Sequence, residues 1–279
     1  MNFQHHQFAA TPTRTYHFVT AGQSGHPAWL LLHGFTGSHH DWWPTAETLA
    51  SKYYCIMPDL PGHGQSFHTG TVDDMALPTT ARDLWRLLKH LGVSDVGILG
   101  YSMGGRLALH LPLYGGGARV RSLILESTTA GLRSREERAL RRQADEQLAR
   151  HIEERGIKWF ADYWGTLPLL RTDDPALAAQ QYEERLGNNP VGLASSLRAA
   201  GTGHQASLWS ILPSYHMPVL LIAGAHDQKF QALAESLHTA LPNSQVHLIP
   251  HAGHTVHKQA PGAFHQALRT WVDRSEATI

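Results

Sequence analysis

Gly100-Tyr101-Ser102-Met103-Gly104 sets glycines two residues before and two residues after a serine. With the apolar run 96–99 ahead of it and Arg106-Leu107-Ala108-Leu109 behind, the stretch reads as a buried strand turning tightly into a helix. The glycines remove side chains that would collide where strand meets helix, so a strained serine can project its hydroxyl above the sheet, a nucleophile elbow. A hydroxyl alone is a poor nucleophile or base. It needs an imidazole, and the imidazole needs a carboxylate to hold its tautomer. In this strand–turn–helix setting the partners follow the serine in the order acid, then histidine, at strand ends. Asp227, three residues past the run 218–224, and His254, just past the run 246–249, fit that order. Asp227 also reads as an ordinary helix N-cap. His251, His254 and His257 invite a metal reading, but threefold spacing on a loop lacks the helical face that metal-binding histidine pairs use, so no metal is expected.

Two backbone amides complete this chemistry. Met103 N–H stands beside the serine, and His33-Gly34-Phe35-Thr36-Gly37 follows an apolar run, so Phe35 N–H is the natural second donor of an oxyanion hole. Arg106 falls one helical turn after Ser102, which puts a cation near the hydroxyl. Arg141 and Arg185 add guanidinium forks suited to carboxylates, and Lys229 stands two residues after Asp227. The competing reading of each arginine is a solvated helix face paired with neighbouring glutamates.

The elements that must position these residues alternate strand and helix. Residues 15–20 suit an edge strand, 29–32 a strand buried on both faces, and 53–57 another, ending in Asp59-Leu60-Pro61-Gly62-His63-Gly64. Apolar residues at helical spacing predict a helix over 80–91 with Thr80 as its N-cap. After a strand over 120–125 the alternation stops. No strand candidate occurs between about 127 and 213, where 135–154 is a long charged helical pattern. Strands return at 218–224 and 246–249, and 264–272 makes a closing helix. The reading is therefore an α/β fold, a mostly parallel sheet with helices on both faces built from 1–126 and 214–279, interrupted by a helical cap over 127–213.

At 279 residues and 42% hydrophobic content the chain can bury a substantial core. Lys plus Arg and Asp plus Glu both total 23, so no global field recruits nucleic acid or an anionic membrane. Cys55 is the single cysteine, which excludes an internal disulfide and fits a reducing compartment. With no apolar leader and no run of about 18 apolar residues, the expected location is the cytoplasm, without membrane insertion.

Taken together these residues resemble the 2-succinyl-6-hydroxy-2,4-cyclohexadiene-1-carboxylate synthases, enzymes of menaquinone biosynthesis on the α/β-hydrolase fold. The likeness runs through the serine motif ending in Arg106, Glu136-Glu137-Arg138-Ala139-Leu140-Arg141, Phe160-Ala161-Asp162-Tyr163-Trp164, Asn188-Asn189, Asp227-Gln228-Lys229-Phe230 and Gly253-His254. It departs at Ala225, where an acidic residue is usual, and at Thr129-Ala130. The resemblance implies a lyase without cofactor that eliminates pyruvate from a small tricarboxylate after a proton is removed beside its succinyl carbonyl. Ser102, Asp227 and His254 would be catalytic, Phe35 and Met103 the oxyanion hole, and Arg106, Arg141, Arg185, Tyr101 and Trp164 the substrate contacts. Two other readings share the same residues: a serine hydrolase of esters or carbon–carbon bonds, and a ligand-binding protein without turnover.

Overall fold

The computed structural model describes residues 2–117 and 119–276, and it begins with a strand. Strand β1 (Gln4–Thr11) pairs antiparallel with β2 (Arg14–Ala21), which pairs antiparallel with the fourth strand of the chain. The expected edge strand over 15–20 is thus interior, because a polar but alternating N-terminal segment covers it and takes up its free hydrogen bonds. Strand β3 (Ala28–Leu32) is buried at every position and leads, through a 3-10 turn at His39–Trp42, into α1 (Trp43–Leu49). Next come β4 (Tyr54–Pro58), the short β5 (Phe67–His68) and α2 (Leu77–His90). Helix α2 starts three residues before Thr80, with Pro78 in its first turn, where a missing N–H costs nothing. Thr80 Oγ1 donates instead to Met75 O.

Strand β6 (Asp95–Tyr101) runs into α3 (Met103–His110), and β7 (Arg119–Glu126) follows. The chain then leaves the sheet for α4 (Arg135–Thr166), α5 (Pro175–Leu186) and α6 (Pro190–Ala200). It returns for β8 (Val219–Gly224), α7 (Gln228–Ala240), β9 (Ser244–Ile249), the single turn α8 (Val256–Gln259) and α9 (Pro261–Glu276). The sheet order is β1-β2-β4-β3-β6-β7-β8-β9, with β5 beside β2, and every pairing from β4 to β9 is parallel.

Parallel strands covered by helices on both faces need apolar residues on both faces, which is why β3, β6, β7 and β8 read as continuous hydrophobic runs. Alternate residues serve two cores. Leu30 and Leu32 pack with Leu84 and Leu107 of α2 and α3, whereas Trp29 and Leu31 pack with Ala46, Phe264 and Leu268 of α1 and α9. The inserted helices carry a small core of their own around Ile152, Phe160, Leu193 and Leu197. Helix α4 is broken at Gly156, whose φ of 80° is left-handed, so its two halves meet at an angle over the sheet's carboxyl edge. Among the described residues no helix is long and apolar enough to cross a membrane.

Candidate active site

Ser102 sits between β6 and α3 with φ 49° and ψ −104°, a conformation that a non-glycine residue holds only when its surroundings impose it. The surroundings are backbone against backbone. A Cβ on Gly104 would lie 2.1 Å from Leu32 O, and one on Gly100 would lie 2.5 Å from Gly104 O. Ser102 N–H donates to Glu126 O, and Thr128 Oγ1 donates to Ser102 O, so both sides of the turn are tied to the β7 end.

His254 Nε2 lies 3.2 Å from Ser102 Oγ, and His254 Nδ1 lies 2.9 Å from Asp227 Oδ2. An ionised carboxylate only accepts, so Nδ1 carries the proton and Nε2 presents its lone pair to the serine hydroxyl. Asp227 and His254 are both buried, and the imidazole is packed between Phe230 at 4.4 Å and Tyr101 at 5.4 Å, ring centre to ring centre. The two readings of Asp227 turn out to be compatible. Its second oxygen, Oδ1, accepts from Phe230 N–H and caps α7, so the cap and the imidazole each use one oxygen. The three histidines at 251, 254 and 257 diverge: His251 is exposed, and His257 Nδ1 donates to Glu126 beneath the serine.

A cavity of about 160 Å³ opens over Ser102 and His254, walled by Phe35, Tyr101, Met103 and Trp164 and entered by Arg106, Arg141 and Lys229. Met103 is the first residue of α3, so its N–H has no intrahelical acceptor, and Phe35 follows β3 on the opposite wall. Arg106 is only 7% exposed; Nη1 donates to Ala200 O at 2.7 Å and to Gln205 Oε1 at 3.3 Å. No carboxylate among the described residues lies within ion-pair distance of it. Burial, with the Arg141 charge next, pushes its guanidinium down to about 10. Arg141 Nε is held by Asp145 Oδ1 at 2.7 Å, one helical turn on.

Arg185 stands apart from the other two. It is buried in a smaller adjoining cavity of about 40 Å³, which shares Phe35, Tyr101 and Trp164 as a common wall and also holds Lys258. Lys258 Nζ binds Asp41 Oδ1 and Glu184 Oε2, both at 2.6 Å, and so joins the inserted helices to the sheet's loops. Sequence reasoning missed Gln205, Asp145 and Lys258. Asp145 carried a signal, the i,i+4 spacing from Arg141. Gln205 and Lys258 carried none, because their partners come from distant parts of the chain.

A family model of the alpha/beta hydrolase fold matches residues 27–261. A Bacillus subtilis (strain 168) protein named "Putative 2-succinyl-6-hydroxy-2,4-cyclohexadiene-1-carboxylate synthase" is 38% identical over 254 residues, 89% of this chain and 91% of that one. A Yersinia pestis bv. Antiqua (strain Nepal516) protein named 2-succinyl-6-hydroxy-2,4-cyclohexadiene-1-carboxylate synthase is 32% identical over 88% of each chain. The solved structure of MenH from S. aureus superposes with a TM-score of 0.87 at 30% identity, over 95% of this chain and 100% of that one. On a triad at the strand ends of a parallel sheet and relatives matched almost end to end, the chain belongs to the 2-succinyl-6-hydroxy-2,4-cyclohexadiene-1-carboxylate synthase family of the α/β-hydrolase fold.

Proposed function

We propose that this chain is a lyase that releases pyruvate from 2-succinyl-5-enolpyruvyl-6-hydroxy-3-cyclohexene-1-carboxylate, leaving the cyclohexadiene product. The observation that carries the reading is Arg106, a buried guanidinium without a carboxylate partner that faces the same cavity as Ser102 and His254. An unpaired buried cation is costly, and the cost is repaid when a substrate carboxylate enters. A neutral ester would leave it standing.

In the proposed step Ser102 passes its proton to His254 Nε2 and its Oγ takes the carbon-bound proton beside the succinyl carbonyl. The electron pair builds an enolate, whose oxygen accepts from Phe35 and Met103 N–H. As it collapses into the ring diene, the carbon–oxygen bond to the enolpyruvyl group breaks; the pyruvate enolate that leaves takes, on its terminal carbon, one proton, equivalent to the one that His254 gained, and becomes pyruvate. No acyl-enzyme forms. Asp227 holds the imidazolium in register. Arg106 and Arg141 take substrate carboxylates in the main cavity, Tyr101 and Trp164 line it, and Arg185 takes a third carboxylate through the adjoining one. The two cavities, about 160 and 40 Å³, are smaller than the roughly 300–1,000 Å³ usual for ligands of this size. Residues 127–213 therefore act as a cap that opens to admit substrate. The test is to mix purified protein with the enolpyruvyl substrate and follow pyruvate through a coupled dehydrogenase. Pyruvate release abolished by Ser102→Ala is expected; release unchanged in that variant, or turnover of aryl esters far exceeding it, overturns the reading.

A further inference from the structure

The triad histidine sits on a strap over 250–255, between β9 and α8. Two main-chain bonds tie the near end of this strap to the loop that carries the triad acid: Ala225 N–H donates to Ile249 O and His226 N–H to Ala252 O. They set His254 against Asp227 but leave its distance from Ser102 open, since the serine follows a different strand. The far end of the strap is where the serine enters. Thr255 Oγ1 lies 3.1 Å from Tyr101 Oη, and His257 donates twice to Glu126, from its main-chain N–H to Oε1 at 3.0 Å and from Nδ1 to the carboxylate at 2.9 Å.

Glu126 closes this connection because it is held at both of its ends. It is the last residue of β7, paired in register with Tyr101 of β6, and its carbonyl oxygen accepts from Ser102 N–H at 2.9 Å. One residue therefore touches the main chain of the nucleophile and the turn that follows the base. Its carboxylate is fully buried, and among the described residues its only ion-pair partner is the His257 imidazole. Taking a carboxylate out of water is costly, and an apolar side chain would fill the place without that cost, so packing does not account for a glutamate here. His257 is buried as well, and its ring packs on Trp42 at 4.7 Å and on Tyr101 at 4.9 Å, ring centre to ring centre.

We propose that Glu126 is a positioning residue for the reaction: through His257 it fixes the strap bearing His254 to the turn bearing Ser102, and so sets the 3.2 Å between imidazole and hydroxyl. It touches neither the substrate nor the proton in transit. The inference rests on the use of Ser102 and His254 proposed above. What Glu126 supplies is alignment: a proton passes from the hydroxyl to the imidazole only at hydrogen-bond distance, and a misplacement of about 1 Å costs about 10²-fold in rate. The arginines that take the substrate carboxylates stand on α3, α4 and α5, outside this tie, so its effect belongs in kcat rather than KM.

The test pairs variants that break the tie with variants that keep it. Glu126→Met removes the acceptors and His257→Phe the ring donor, whereas Glu126→Gln and His257→Asn each retain a hydrogen-bonding group at that place. Two rates are measured on the full chain below its melting temperature. One is pyruvate release. The other is modification of Ser102 by a small fluorophosphonate, followed by mass spectrometry, which needs the contact between Ser102 and His254 but neither the arginines nor pyruvate. Glu126→Met should lower kcat and the modification rate about 30- to 100-fold with KM within about threefold, His257→Phe should lower both rates at least about tenfold, and the two conservative variants should recover to within about fivefold of the unchanged chain. Where Glu126→Met folds poorly, His257→Phe, which keeps an aromatic ring against Trp42, carries the test. A folded Glu126→Met or His257→Phe variant with both rates within about threefold of the unchanged chain overturns the inference, as does a loss confined to KM or an equal loss in Glu126→Gln and Glu126→Met. If the unchanged chain releases no pyruvate while the fluorophosphonate rate follows the expected order, the lyase reading fails and the positioning role of Glu126 stands.

Discussion

Arg106→Met separates substrate recognition from folding, because the two consequences of removing this charge have different sizes. Its pKa, pushed by burial from 12.5 to about 10, means that the folded chain holds the cation at a cost of roughly 3 kcal/mol. Methionine fills similar space and removes that cost. It also leaves Ala200 O and Gln205 Oε1 without their donor, at about 1–3 kcal/mol each. The terms largely offset, leaving between about 1 kcal/mol gained and about 3 kcal/mol lost, so the melting temperature should move by no more than about 6 °C. Catalysis has no such cancellation. A substrate carboxylate desolvated against the cavity without its guanidinium costs about 2–5 kcal/mol, a fall in kcat/KM of about 30- to 5,000-fold. Steady-state pyruvate release and a melting curve on the same preparation measure both. In the proposed role Arg106 binds a carboxylate rather than the reacting carbon, so the loss should appear mostly in KM. A variant that keeps kcat/KM within threefold, or that loses activity only in proportion to a fall in folded protein, would refute the reasoning.

The remaining predictions concern the triad acid, pH and the tie between insertion and sheet. Asp227→Asn keeps an N-cap oxygen but loses the charge that holds His254, so kcat should fall about 10²- to 10⁴-fold with little change in melting temperature. Asp227→Ala should lose, in addition, about 1 kcal/mol of stability with the cap. Burial holds two imidazoles neutral in the fold, pushing His63 down to about 3, with the His33 charge next, and His68 down to about 4. The unfolded chain protonates them near 6.5, so their contribution to stability is complete above that pH and is lost as pH falls from 6.5 toward 3. Denaturant melts across that range should show a midpoint that drops steadily on acidification; a flat profile would contradict it. Lys258→Met strands the buried Asp41 carboxylate and should cost about 3–5 kcal/mol, read as a melting temperature lower by roughly 5–9 °C.

Much of this protein was legible before any tertiary contact was known. The elbow at Ser102 shows in its glycines because strand and helix backbones approach too closely for any Cβ, a purely local demand. Asp227 and His254 were found from chain order, since a parallel sheet delivers the ends of successive strands to one edge. The helical insertion was visible as a gap in hydrophobic alternation, and the central strands as unbroken apolar runs. β2 was misplaced at the edge because β1, half histidine and glutamine, has too little hydrophobic contrast to announce a strand; its pairing comes from the partner's hydrogen bonds.

Order along the chain and local sterics thus determined which hydroxyl, imidazole and carboxylate meet, and on what kind of sheet. Folding alone decided how the cations are distributed: Arg106 and Arg141 over the serine, Arg185 behind the Tyr101–Trp164 wall, and Lys258 bound to acids 217 and 74 residues away. It also decided that Asp59 gathers His17 from within β2 and His39 from the 3-10 turn after β3. The reason is physical. A periodic pattern tells which face of an element is buried, but an arginine's partner depends on the crossing of helices and the path of loops, and those are set by packing that sums over the whole chain.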